Sequence, residues 1–179
     1  PYKPHAWPEK YIQTVDAQIV GLAVFDTTWI VLTKSQPYLI SGSHPENYSM
    51  VRSDLAQACV SKRSIAAADG GVIYASPDGL FLVGGGVTRN LTDAIMSRRE
   101  WQALTPSSLH GYIVDGQYIG FYGSSGFILD LTTGDMSSID WAASAGYYDP
   151  IRDALFLVTG GTALVKFDSG SAMTQTWHS

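Results

Sequence analysis

Residues 72–83 read VIYASPDGLFLV, two apolar segments joined by a Ser-Pro-Asp-Gly turn. Proline presets φ in such a turn and glycine accepts a positive φ, so this stretch predicts a β-hairpin. The same unit of apolar strand, polar turn and apolar strand occurs in residues 29–41, 118–130 and 155–167. The starts of the four units are 43, 46 and 37 residues apart. The chain is therefore organised as four repeats.

A period of about 40 to 45 residues with several short strands per repeat is typical of propeller blades. The hairpin strands are nearly continuous apolar runs, as expected for strands covered on both faces. We predict an all-β, propeller-like domain of about four blades, which either closes by itself or forms part of a larger ring. An extended lead-in, residues 1–18, precedes blades at 19–54, 64–104, 109–142 and 145–179.

The last quarter of the second blade departs from the strand pattern. Residues Thr92–Met96 and Ser97–Leu104 are predicted to be helical, and Ser97 and Glu100 have the spacing of a capping box. We therefore expect one or two short helices inserted between blades. The tail Met173–Trp177 is predicted to be the outer strand of the fourth blade.

Composition limits the classes of partner. The chain has 179 residues and a net charge of -5, which argues against sequence-specific or broad electrostatic binding of nucleic acid. Only 15% of the residues are charged, against about 25% in an average domain, and so few charges favour packing against other subunits. No run of about 18 apolar residues occurs, so no membrane span is predicted. Because the sequence begins at Pro1 without methionine, we expect a piece of a longer protein.

Cysteine and histidine give no metal or nucleophile motif. The single cysteine, Cys59, has apolar neighbours and is predicted to be a small buried side chain. His5, His44, His110 and His178 are scattered without ligand-like spacing, and we expect each in a loop or at the surface. We assign no catalytic, cofactor-binding or metal-binding residues.

Four aspartates recur at one position of the repeat. Asp26, Asp69, Asp115 and Asp149 each fall in the turn between the first and second strands of a blade. Turns select aspartate because its side chain bonds to the local backbone, which is the interpretation that we favour. A ring of acidic groups binding a cation, or a pair of carboxylates in a glycosidase cleft, is the alternative.

Two groups of residues are candidates for contacts with partners. The basic pairs Lys62-Arg63 and Arg98-Arg99 fall between blades. Their side chains either contact a partner or are simply exposed to solvent in a loop. Aromatic side chains concentrate at interface hot spots. Trp7, Trp101 and Trp141 lie outside the repeated hairpins, and we single them out as candidate interface residues.

Five segments resemble a family of tailed-phage and prophage virion proteins, similar to the propeller-bearing tail hub or nozzle components of short-tailed phages. The segments are Trp7–Tyr11, Tyr38–Gly42, Gln57–Ser64, Tyr74–Leu80 and Trp101–Ser108. The resemblance extends to about Asp130 and carries no catalytic motif. It implies a building block of a tail, located in the virion and in the bacterial cytoplasm before assembly.

These observations lead us to expect a non-enzymatic structural component of a phage or prophage tail. Its partners would be other phage structural proteins, missing parts of the same chain or further copies of the chain, with no cofactor. A propeller module that binds glycan or peptide is the alternative, suggested by an aromatic content of 12%. A cryptic glycoside hydrolase using Asp69 and Asp115 is a third hypothesis.

Overall fold

The computed structural model describes residues 8–170. In that range the chain is all-β, with fifteen strands in four antiparallel sheets and one α-helix. Within each sheet the strands pair with their neighbours in chain order. We number the sheets 1 to 4 from the amino-terminal end.

Sheets 1 and 2 are four-stranded. Sheet 1 consists of β1 (Ile19–Phe25), β2 (Thr28–Thr33), β3 (Tyr38–Ser41) and β4 (Ser49–Arg52). Sheet 2 consists of β5 (Ala66–Ala68), β6 (Gly71–Ser76), β7 (Gly79–Gly84) and β8 (Val87–Asn90). The α-helix, α1 (Arg98–Ala103), follows sheet 2.

Sheet 3 has four strands and sheet 4 has three among the described residues. Sheet 3 consists of β9 (His110–Val114), β10 (Gln117–Tyr122), β11 (Ser125–Asp130) and β12 (Met136–Ile139). Sheet 4 consists of β13 (Ala143–Asp149), β14 (Ala154–Thr159) and β15 (Ala163–Lys166). Short 3₁₀ helices lie at Glu9–Tyr11, Pro45–Asn47, Lys62–Ser64 and Pro106–Ser108.

The second strand of each sheet shows how the sheets pack, because alternate residues of a strand point to opposite faces. In β6, Val72 and Tyr74 belong to a core shared with sheet 1. Ile73 and Ala75, on the opposite face, belong to a core shared with sheet 3. Sheet 2 is thus covered on both faces, which explains why the apolar runs of its hairpin are unbroken.

Three apolar cores join the four sheets in chain order. The core between sheets 3 and 4 includes Phe121 and Leu157. The first strands of the sheets also form a contiguous series, since β1 contacts β5, β5 contacts β9 and β9 contacts β13. The repeats therefore pack face to face, each on the next, with their first strands side by side.

The insertion between sheets 2 and 3 differs in part from the prediction. Residues 98–103 form the predicted helix, and Ser97 and Glu100 form its capping box. The prediction of a helix at Thr92–Met96 was wrong, because the buried Thr92 hydroxyl accepts the backbone N–H of Leu80 (3.1 Å) and holds this segment as a turn on β7. A fourth strand, Val87–Asn90, was missed before it. The predicted strand Met173–Trp177 lies outside the described residues.

Candidate interaction surfaces

The two end sheets carry apolar side chains on the faces that point away from the stack. In sheet 1, Ile30 and Leu32 face sheet 2, so the cross-strand pairing places the alternate residues on the other side. We call this surface the sheet 1 outer face; its exposed or half-buried apolar residues are Leu22, Val24, Trp29, Ile40 and Met50. Leu22 is 59% exposed and Trp29 is 54% exposed. Side chains that the repeat would normally bury are therefore in contact with solvent.

Sheet 4 has a matching surface at the other end of the stack. Leu155 and Leu157 face sheet 3, and the residues paired between them point outward. The sheet 4 outer face consists of Ala145, Tyr147, Phe156, Val158 and Leu164. Tyr147 is 66% exposed and Leu164 is 69% exposed. Lys166, which pairs with Phe156, places one charged side chain on this face.

The segment before β1 covers one edge of the sheet 1 outer face. The Asp16 carboxylate accepts a hydrogen bond from the Tyr38 hydroxyl and another from Arg52 Nη2 (2.7 Å). The hydrogen bond from Tyr38 is the main cause that lowers the pKa of Asp16. Tyr38 is only 2% exposed as a result of this cover. The uncovered part of the face is the part that includes Trp29.

A third surface is a cleft of about 390 Å³ near the first strands of sheets 2, 3 and 4. Lys62 and Arg63 lie on one side, and Tyr112, Tyr147 and Tyr148 are among the residues that line it. Arg63 Nη2 donates to the carbonyl oxygen of Ser144 (2.7 Å), so one arginine bridges the start of sheet 2 to sheet 4. Cations beside tyrosine rings and hydroxyls suit a ligand with hydroxyl and carboxylate groups.

Three of the recurring aspartates, Asp26, Asp69 and Asp115, lie in the predicted turns, and the fourth is the strand residue just before its turn. Asp26 and Asp115 have positive φ values of 52° and 47°, a conformation that aspartate tolerates better than most residues. Asp149, the last residue of β13, accepts the N–H groups of Ile151 (2.9 Å) and Arg152 (3.3 Å). These are structural roles in turns.

The aspartates do not form a shared acidic site in the part of the chain that the structure describes. Asp69 lines a cleft of about 330 Å³ between sheets 2 and 3, and it is the single carboxylate among the described residues of that lining. Asp115 is not part of the lining. Within residues 8–170 no group of three or more His, Cys, Asp or Glu side chains is placed to hold a metal ion.

The structure confirms the predicted environments of Cys59 and His44 but not that of His110. Cys59 is 1% exposed, as predicted, and burial raises the pKa of its thiol to about 11. His44 is exposed in a loop, and its Nδ1 accepts the N–H of Glu46 (3.3 Å). The prediction was wrong for His110, which is 6% exposed in β9 and packs on the ring of Phe121 (5.5 Å between centroids). His5 and His178 lie outside the described residues.

The basic pairs make contacts within the chain as well as facing solvent. Arg98 pairs with Asp78 (2.7 Å between Nε and Oδ1), which ties the start of α1 to the β6–β7 turn. Arg99 is exposed. Lys62 and Arg63 line the cleft described above.

Of the three tryptophans singled out from the sequence, the structure supports only Trp141 as an exposed one. Trp101 is 1% exposed, so its choice as an exposed interface residue was wrong; the helix packs it into the core between sheets 2 and 3. Trp141 is 39% exposed, and Trp7 lies outside the described residues. Trp29 was missed because it lies inside a repeated hairpin. The hairpin pattern alone gives no signal that would have found it, because Val72 has the equivalent place in its hairpin and is buried.

Comparisons with known proteins give no family for this chain. No protein-family model matches it, and a search of curated protein sequences returns no significant match. In the described residues, no helix is long and apolar enough to span a membrane.

Proposed function

We propose that this chain is a structural module of a larger protein assembly and acts through protein–protein contacts. The observation that carries the proposal is the pair of exposed apolar outer faces on sheets 1 and 4. Large contiguous apolar patches are uncommon on monomers and mark interaction sites. The resemblance to tail hub and nozzle components suggests which assembly: the tail of a phage or prophage, with the virion as its location.

We further propose that the four sheets are blades of a propeller-like ring. In that architecture, blades pack face to face around an axis and their first strands surround a central channel. The serial contact of β1, β5, β9 and β13 supports this arrangement. So do the three cores that join consecutive sheets. A ring also gives each end sheet a neighbour, which the exposed faces of this chain lack.

The test is mass spectrometry of tailed particles purified after induction of the bacterium that encodes the chain. We expect peptides of this chain at a fixed ratio to known tail proteins, in particles separated from soluble protein on a density gradient. An unrelated abundant host protein, followed through the same gradient, controls for contamination. Recovery of the chain only in the soluble fraction would contradict the tail assignment.

A second candidate function is glycan or peptide binding, and the cleft beside Arg63 is the observation that favours it. Tyrosine rings supply stacking surfaces, and Arg63 is placed to pair with a carboxylate. A glycan array probed with the chain would test this, with Arg63→Ala as the matched variant. Binding of acidic glycans that the variant loses would support the function, and an empty array would refute it.

A further inference from the structure

We infer that the cleft between sheets 2 and 3 is a binding site for a free amino acid with an apolar side chain. The cleft has a volume of about 330 Å³ and is bordered by the β5–β6 and β9–β10 turns. Small-molecule sites usually have volumes of about 300–1,000 Å³, so this one suits a small ligand. The inference does not depend on the proposed assembly function, and its cleft is separate from the one beside Arg63.

The cleft exists because one position of the repeat changes there. Phe25, Ala68 and Val114 are each the last residue of a first strand, just before the recurring aspartate. Each packs against the core shared with the following sheet. In the first repeat the ring of Phe25 packs so closely on sheet 2 that a Cβ added to Gly84 would lie 3.1 Å from it. Alanine lacks such a ring, so a cavity remains between Ala68 and Leu131 of sheet 3.

The walls of the cleft are mainly apolar and come from both sheets. The apolar residues are Ala67, Ala68, Leu82, Leu91, Ile113 and Leu131. Protein interiors are close-packed, and an unfilled apolar space between two sheets is uncommon. A branched or aromatic side chain of a ligand would leave water on entering this space, which is favourable.

Two opposite charges border the cleft on either side of Leu82. Arg89 of β8 pairs with Leu82 of β7, so both side chains lie on the face of sheet 2 that points to sheet 3. On the other side, a Cβ added to Gly70 would lie 3.5 Å from Leu82 Cδ2, so the turn that carries Asp69 borders the same side chain. Two to three strand spacings of about 4.8 Å separate this turn from β8, which leaves room for a ligand between the charges.

Both charged groups are available to a ligand. Asp69 and Arg89 are exposed, and among residues 8–170 neither side chain has a hydrogen-bond or ion-pair partner. Asp130 and Arg89 line an adjoining cleft of about 180 Å³. The Asp130 carboxylate, however, already accepts the N–H groups of Thr132 (2.8 Å) and Thr133 (3.0 Å).

A free amino acid complements all three features of the cleft. Its α-carboxylate accepts hydrogen bonds from the Arg89 guanidinium, a group that binds carboxylates through two parallel bonds. Its α-ammonium donates to the Asp69 carboxylate. Its apolar side chain extends between the sheets into the space that Phe25 fills in the first repeat. A ligand with only one of the two charges would leave the other charged group without a partner.

The test is isothermal titration calorimetry of the full chain with leucine and phenylalanine. We expect at least one of them to bind with a dissociation constant below about 1 mM. Three matched compounds each remove one feature: 4-methylpentanoate lacks the ammonium of leucine, 3-methylbutylamine lacks its carboxylate, and glycine lacks the apolar side chain. Each should bind at least ~10-fold more weakly than leucine, because each loses one of the three contacts.

Variants of the chain assign the binding to this cleft. Arg89→Gln and Asp69→Asn should each weaken amino-acid binding at least ~10-fold. Ala68→Phe copies the first repeat and should abolish binding by filling the cavity; Ala68→Val, which copies the third repeat, replaces it if it does not fold. Arg99→Gln is the matched control, because Arg99 is exposed on α1 outside the lining of the cleft, and it should bind as the unchanged chain does. Far-UV circular dichroism checks that each variant is folded.

The remaining outcomes would overturn the inference. Binding of neither amino acid below about 1 mM would do so directly. Equal affinity for leucine and 4-methylpentanoate would indicate a site for simple carboxylates, in which Asp69 has no part. Amino-acid binding that persists in folded Ala68→Phe or Ala68→Val would place the ligand elsewhere on the chain. None of these results bears on recovery of the chain in tailed particles, so the proposed assembly function is tested separately.

Discussion

Replacing Trp101 by alanine should be among the most destabilising single substitutions in this chain. Its indole is 1% exposed in the core between sheets 2 and 3. The Nε1–H group donates to the carbonyl oxygen of Ser76 (2.8 Å), and the ring packs edge to face on Phe127 with centroids 6.4 Å apart. Helix α1 has only six residues and cannot persist without tertiary contacts, so Trp101 is the side chain that anchors it.

The magnitude follows from these contacts. A buried tryptophan removes about 200 Å² from water, which at about 25 cal/mol per Å² gives an upper value of about 5 kcal/mol. Measured losses for Trp→Ala in cores are about 3–5 kcal/mol, and we expect the free energy of unfolding to fall by that amount. Trp101→Phe keeps most of the apolar area but leaves the Ser76 carbonyl oxygen without this donor. We expect that variant to lose about 1–3 kcal/mol.

Urea unfolding followed by far-UV circular dichroism measures both losses as shifts of the midpoint. Ile151→Ala, a substitution of a 94% exposed side chain, is the control and should change stability by less than about 0.5 kcal/mol. If Trp101→Ala fails to fold, Trp101→Phe still reports the hydrogen bond. A loss below about 1 kcal/mol for the alanine variant would refute the placement of Trp101 in the core.

Three further predictions concern buried positions. Gly120→Ala should cost about 1–3 kcal/mol, because its Cβ would lie 2.6 Å from the ring of Phe127; an unchanged melting temperature would contradict this packing. Cys59, whose thiol pKa burial raises to about 11, should react with a thiol reagent at pH 8 only after unfolding, and rapid labelling of the folded chain would disprove its burial. Burial, followed by the positive charge of Arg63, lowers the pKa of His110. The unfolded histidine therefore binds more protons, and stability should fall as the pH decreases below about 6.5. His110→Phe should flatten urea midpoints between pH 7.5 and 5.5, and an unaltered slope would contradict the assignment.

The repeat in the sequence predicted the strands best where the apolar residues form nearly continuous runs. The first strand begins at Ile19, where the first blade was predicted to begin, and the hairpins of all four repeats were found near their predicted bounds. The strand Val87–Asn90 was missed because it follows three glycines and contains the polar residues Thr88, Arg89 and Asn90. Such a strand at the edge of a sheet has little apolar pattern to detect.

Local sequence could not show which side chains of the repeat lack a neighbour. Trp29 and Val72 occupy equivalent places in their hairpins, yet Trp29 is 54% exposed and Val72 is fully buried. The difference arises from the order of sheets in the stack, which is a property of the whole chain. For the same reason Trp101, which lies outside the hairpins, was wrongly predicted to be exposed, although it packs into the core between sheets 2 and 3.

The apolar character of the outer faces supports the proposal that they are covered when the protein functions. An antiparallel sheet with one face exposed to solvent normally alternates apolar and polar residues along each strand, so that the solvent-exposed face is polar. The strand β1 instead carries Leu22 and Val24 on its exposed side, and β2 adds Trp29. Their exposure in a single chain leaves apolar area in contact with water, at a cost of about 25 cal/mol for each Å². Sheet 4 also exposes apolar side chains on the face that points away from the stack, so burial of both outer faces against other protein surfaces would remove both costs.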